Sequence, residues 1–177
     1  MKQYEPHGRQ VPLLTVTGLF AAMVTIMTAY IFHIPYGTNG GYIHFGDALI
    51  YIAAVLLPRP YALAAAAIGG GLADMLTAPM WAPATILIKM LIVLPFTSHK
   101  GRMLSARNVA APFIAALISA TGYYLAEGLL FGSFLSPIAS LTGSAIQSGG
   151  SAVIFLAAAA ALDKIHIKNR TNQLLFQ

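Results

Sequence analysis

Long apolar stretches, broken at short intervals by proline, glycine and charge, run through the whole chain. Six of them read as spanning helices, at about 12–34, 44–57, 61–78, 83–96, 109–131 and 138–162. A spanning helix needs about 20 mostly apolar residues, with a range of roughly 17–25. The second and fourth stretches are short by that measure, so they are expected to tilt little or to continue into structured loops. The breaks carry helix-stopping chemistry. Pro58-Arg59-Pro60 ends one helix and starts the next, because proline suits a first turn and not an interior. Pro79 and Pro83 bracket the third connection, Pro137 precedes the last span, and Gly37-Thr38-Asn39-Gly40-Gly41 is turn chemistry. The pattern predicts an all-α integral membrane protein, with residues 1–177 forming a single six-helix domain.

The cations orient that bundle. With a cytoplasmic N-terminus, Lys2 and Arg9 lie inside, as do Arg59 in the second loop and Lys100, Arg102 and Arg107 in the fourth. Lys164, Lys168 and Arg170 form an inside tail, and Lys89 alone falls within a span. The first, third and fifth loops contain no Lys or Arg. This positive-inside asymmetry predicts that both termini are cytoplasmic. The first span is too long for the apolar core of a signal peptide, and five more follow it.

Composition narrows the class. Hydrophobic residues are 58% and charged residues 8% of 177, whereas a soluble domain carries roughly 25% charge. A chain this short cannot hide so much apolar surface from water. The ten Lys+Arg form no run of the nucleic-acid-binding kind. The absence of cysteine excludes disulfides, thiolate metal sites and a thiol nucleophile. The sequence lacks a phosphate-binding Gly-rich Lys-Ser/Thr loop and a Gly-x-Ser-x-Gly elbow, so neither ATP hydrolysis nor hydrolase chemistry is expected of it.

Polar residues at membrane depth are costly and therefore functional candidates. Asp47 opens the second span, Asp74 and Glu127 lie near the outer ends of the third and fifth, Lys89 lies in the fourth and Gln147 in the sixth. Their expected depths are roughly 6–14 Å at 1.5 Å per residue. All five fall in the outer half of the membrane, on five different helices. A channel or proton relay needs polar groups through the full depth. A one-sided cluster instead describes a pocket open to the outside and sealed below. The plainer alternative is an Asp74–Lys89 salt bridge that locks two helices, which leaves Glu127 and Gln147 unexplained.

The first outer loop, from His33 to Asp47, adds Asn39, Tyr42 and His44. Aromatic faces with a few convergent polar groups suit a planar small molecule. Trp81, in the third loop, reads as a pocket wall or as an interfacial anchor. Tyr123 lies one turn before Glu127 on the same face. His44 and Asp47 share an i,i+3 spacing, but scattered ligands make a weak metal site, and no metal is expected.

Small residues at every fourth position let helix backbones approach in lipid. On the first helix these are Gly18 and Ala22 and, one step round, Ala21, Thr25 and Ala29. The third has Ala62, Ala66, Gly70 and the run Gly69-Gly70-Gly71. Such stripes pack the bundle internally or face a partner.

The stretch Gly41-Tyr42-Ile43-His44-Phe45-Gly46-Asp47-Ala48, then Leu57-Pro58-Arg59-Pro60, Ile68-Gly69-Gly70-Gly71-Leu72-Ala73-Asp74 and Ala84-Thr85-Ile86-Leu87-Ile88-Lys89 resembles the substrate-binding S components of energy-coupling factor (ECF) vitamin transporters. The resemblance is closest over the second to fourth spans, and favours the hydroxymethylpyrimidine or pyridoxine type. It implies a non-enzymatic six-helix subunit of a prokaryotic plasma membrane that binds a vitamin near the outer face. A transmembrane coupling protein and two cytoplasmic ATPase subunits, which use ATP and Mg, would power release. No cofactor is expected on this chain. The family's small-residue motif on the first helix meets the coupling protein, and the matching positions here are Ala21, Thr25 and Ala29, or Gly18 and Ala22. Cobalt and nickel members begin Met-His, while this chain begins Met1-Lys2-Gln3. The expected substrate site is Asn39, Tyr42, His44, Asp47, Asp74, Trp81, Lys89, Tyr123, Glu127 and Gln147. A stand-alone facilitator of a similar solute, or a structural subunit of another membrane complex, remains the alternative.

Overall fold

A computed structural model describes residues 7–176 other than 32, 37, 38, 100 and 136, and excludes the side chains of 7–9, 170, 172 and 174–176. Lys2, Lys100, Gly37 and Thr38, and the side chains of Arg9 and Arg170, lie outside the described residues. The chain folds as α1 (His7–Ala29), a hairpin of β1 (Ile34–Pro35) and β2 (Tyr42–Ile43), α2 (Gly46–Leu56), α3 (Arg59–Thr77), a 3-10 turn (Pro79–Trp81), α4 (Ala82–Leu91), α5 (Ala106–Phe131), α6 (Pro137–Lys164) and α7 (Ile167–Phe176).

The helices close into a ring. α1 packs on α3, α3 on α4, α4 on α5, α5 on α6, α6 on α2 and α2 back on α1. The reason is sequence-local. α3 is built from alanine and a glycine triplet, and a Cβ on any of those glycines would strike a neighbour. Gly69 faces Val24 and the Ala21 carbonyl of α1, Gly70 faces Lys89 and Thr85, and Gly71 faces Ile86. Both flanking helices therefore approach α3 closely, as small residues permit. α2 is buried on nearly every side. Its Tyr51 stacks on Phe96 at 4.8 Å and meets the edge of Phe155 at 5.8 Å, filling the core beneath the polar layer.

Among the described residues, three helices are long and apolar enough to cross a membrane: Gln10–Ala29 within α1, α5 and α6. Large apolar side chains such as Leu19, Phe113, Leu117, Leu129 and Val153 point outward, as a lipid-facing surface requires. At 1.5 Å per residue, α2 and α4 extend only about 15–17 Å. The hairpin precedes α2 and the 3-10 turn precedes α4, and this irregular chain occupies the end where the site lies. α1 ends at Ala29, five residues before the expected boundary, because the chain turns there into the hairpin. The hairpin pairs Ile34 with Ile43 and Pro35 with Tyr42. α7 lies in a stretch read from sequence as a tail. It follows a turn at His166 (φ 52°) and packs on α1 and α6.

Candidate functional site

The end of the ring that carries the hairpin holds a cavity with about 640 Å³ of empty space, partly open to solvent. Eight residues expected from sequence line it: Asn39, Tyr42, His44, Asp74, Trp81, Tyr123, Glu127 and Gln147. Tyr36, Ser140, Gly143 and Ser144 also line it and were not anticipated. Their signal was weak, because small polar residues and glycine on a spanning helix equally mark helix packing. Gly143 is instead a seat for the hairpin. A Cβ there would lie 2.5 Å from the Tyr36 ring. Gly150, two turns further along α6, receives Phe45 in the same way.

The walls are held by cross-element hydrogen bonds. The Tyr42 hydroxyl donates to Asp74 Oδ1, tying β2 to α3. Burial, reinforced by the Asp74 carboxylate, pushes the Tyr42 phenol well above its ordinary range, so it stays protonated and donates. His33 stacks on Tyr42 with ring centroids 3.9 Å apart. Asn39 Nδ2 donates to Glu127 Oε1 at 2.6 Å, and Ser140 Oγ donates to the same oxygen at 3.3 Å. Trp81 Nε1 donates to the Asn39 carbonyl at 3.3 Å. The indole is also 6.1 Å from the rings of Tyr123 and Phe131. Trp81 is thus a buried wall of the cavity, not an exposed interfacial anchor. The Tyr123 and Thr85 hydroxyls pair at 3.0 Å.

Beneath the cavity sits a charged layer that the structure assigns differently from the sequence reading. Lys89 Nζ lies 2.6 Å from Asp47 Oδ1, and the two side chains are 1% and 0% exposed. Lys89 therefore pairs with Asp47 and not with Asp74. The reason is azimuthal: Lys89 threads past Gly70, whose missing side chain leaves room for its stem. Gln147 Nε2 donates to Asp47 Oδ2 at 3.3 Å, while Gln147 Oε1 accepts from the His44 backbone at 3.4 Å. Gln147 so bridges the cavity to the pair below it. Asp47 and Lys89 support the floor and do not line the cavity. His44 accepts from the Gly46 N–H through Nδ1 at 3.1 Å, so that nitrogen carries no proton. No grouping of His, Asp and Glu suited to a metal occurs among the described residues.

The small-residue stripes of α1 also separate. Ala21 and Ala29 are buried, and Thr25 Oγ1 donates to the Gly69 carbonyl of α3 at 3.1 Å. Ala21 and Thr25 therefore take part in the α1–α3 contact. Gly18 and Ala22 point outward, and a Cβ on Gly18 would meet nothing within 4 Å.

The opposite end of the ring is basic. Arg59, Arg102, Arg107 and Lys164 are exposed there. Asp163 accepts from the backbone N–H groups of Met103 and Leu104 at 2.8 and 3.0 Å, holding the α4–α5 connection to the end of α6. Asn108 bonds Thr97 on both backbone groups and the Met103 carbonyl. On α7, burial pulls the Lys168 ammonium down, partly offset by Asp163.

A helical ring in lipid, with a cavity at one end and cations at the other, defines a membrane solute-binding protein. The model of the family described as ECF-type riboflavin transporter, S component, matches residues 9–164, and the chain belongs to that family. It is a transporter subunit of vitamin type and not an enzyme. The chain is also 28% identical over 135 residues to an "uncharacterized protein in gap 3'region" of Pyrococcus woesei, covering 72% of this chain and 90% of that protein.

Proposed function

We propose that this chain is the substrate-binding subunit of an ECF importer in a prokaryotic plasma membrane, with hydroxymethylpyrimidine or pyridoxine as its favoured ligands. The observation that carries the reading is the cavity, where aromatic walls and convergent amides, hydroxyls and carboxylates meet at the end opposite Arg59, Arg102, Arg107 and Lys164. Six membrane-crossing helices with both termini inside fit the charge distribution, and that orientation opens the cavity outward. The hairpin, seated on Gly143 and Gly150, closes over a captured ring. A coupling protein and two ATPase subunits then drive reorientation and release, and Gly18 and Ala22 are the outward small residues available to meet the coupling protein.

Riboflavin, named in the family description, is the competing ligand. The experiment is to purify the protein from cells grown on rich medium, denature it and identify the released small molecule by mass spectrometry. Release of a stoichiometric pyrimidine or pyridine supports the reading. Release of riboflavin replaces the ligand but keeps the subunit. A protein that releases no ligand and binds none of the three when they are added contradicts the substrate-binding role.

A further inference from the structure

The cavity is lined by two carboxyl groups that no cation among the described residues pairs with. Asp74 and Glu127 both line it and are 3% and 4% exposed. Asp74 accepts from the Tyr42 hydroxyl, and Glu127 accepts from the Asn39 amide and the Ser140 hydroxyl. All three donors are neutral. Lys89 is nearby, but its ammonium sits on Asp47. No Lys or Arg among the described residues lines the cavity. His44 accepts at Nδ1 from a backbone N–H, and its ring is neutral in that arrangement. The layer therefore holds three carboxylates, Asp47, Asp74 and Glu127, against one ammonium. Buried carboxylates without a counter-charge are costly.

We infer that the ligand supplies the missing charge: the site takes a planar nitrogen heterocycle bound as a cation, its ring or exocyclic N–H groups directed at Asp74 and Glu127, and rejects rings bearing carboxylate or phosphate. The inference rests on the vitamin-pocket reading above and narrows it. Of the aromatic walls, Trp81 is the one that offers a cationic ring a π partner, since the Lys89 ammonium already lies 5.4 Å from the centroid of the Tyr123 ring. Gln147, Ser140 and Ser144 offer neutral partners for hydroxymethyl groups. A ring whose edge is made of carbonyl oxygens would instead face two carboxylates, acceptor against acceptor. A flavin imide edge offers a single N–H between two such carbonyls.

The test uses the full-length protein, stripped of ligand, in calorimetric titrations with two series. One keeps the pyridine ring and changes charge: pyridoxamine, pyridoxine and 4-pyridoxic acid. The other compares 4-amino-5-hydroxymethyl-2-methylpyrimidine with its 4-hydroxy analogue, and riboflavin is titrated alongside. In the series that binds, the amine is expected to exceed its uncharged analogue by about 10-fold to 100-fold, the range for a hydrogen bond to a charged group. The acid is expected not to bind. Glu127→Gln, an isosteric change, should shrink that gap with little loss of thermal stability. An uncharged or acidic ring binding as tightly as the amine, or riboflavin binding alone, overturns the charge inference and leaves the vitamin pocket standing. A gap unmoved in both Glu127→Gln and Asp74→Asn does the same. Failure of every compound to bind folded protein overturns the pocket reading, and the inference falls with it.

Discussion

The ammonium of Lys89 lies 2.6 Å from Asp47 Oδ1, with both side chains sealed from solvent. The pair joins α4 to the buried helix α2, and Gln147 of α6 completes the contact on the other carboxylate oxygen. This layer is the floor on which the cavity rests. Removing one member of a buried pair strands the other charge, at a cost of about 3–5 kcal/mol. Lys89→Ala is therefore expected to destabilise the protein strongly, and any loss of ligand binding should follow the loss of fold. The double variant Asp47→Leu/Lys89→Met should recover much of that stability, since an apolar pair carries no stranded charge. Thermal melts of the three proteins in one detergent check this. A single variant as stable as the parent would remove the pair from its structural role.

Gly143 seats the Tyr36 ring, and any Cβ there would lie 2.5 Å from it. Gly143→Val should displace the hairpin while leaving the helical ring in place. The expected outcome is a loss of ligand affinity of about tenfold or more, since the loop's contacts stabilise the bound state only when it can close. The melting temperature of the ligand-free protein should hardly change. Equal affinity would mean that the hairpin plays no part in capture.

Asn108 is fully buried at the opposite end and ties the α4–α5 connection to α5 through Thr97 and Met103. Asn108→Ala leaves the Thr97 N–H and two carbonyls unpaired, each costing about 1–3 kcal/mol where water cannot reach. The variant should melt markedly lower. Its ligand affinity, measured below the transition, should match the parent, because no cavity residue lies on that connection.

The two stripes of α1 should respond oppositely to bulk. Ala21→Leu forces a larger side chain against α3 and should destabilise by about 1–3 kcal/mol. Gly18→Leu points into open space and should leave folding and ligand binding intact. If the outward face meets the coupling protein, Gly18→Leu should also reduce co-purification with that protein. Undiminished co-purification would place the contact elsewhere on the ring.

Much of this architecture was legible because lipid constrains it. Apolar length marked the helices, and cation placement separated a basic end from the end that holds Asp74 and Glu127. What sequence could not supply was direction around each helix. Asp47 and Asp74 sit at similar expected depth, so depth alone could not decide which one Lys89 meets. The space beside Gly70 decides it. The same limit hid the split between Ala21 and Ala22, adjacent in sequence but one buried and the other exposed. Tyr36, Ser140 and Ser144 were missed because nothing about a tyrosine in a loop or a serine on a helix is costly enough to stand out. Asp74, Glu127 and Gln147 stood out because burying them in a membrane is.

The most direct test of a vitamin pocket uses Trp81, the sole tryptophan, whose indole forms part of the cavity wall. Ligand-stripped protein should be titrated with hydroxymethylpyrimidine, the pyridoxine series and riboflavin while its tryptophan emission is followed. Saturable quenching by one ring compound, abolished in Glu127→Gln/Asp74→Asn and retained in Asn108→Ala, is the expected result. A flat response to every compound, with no heat of binding in the same mixtures, would show that the cavity is not a vitamin site.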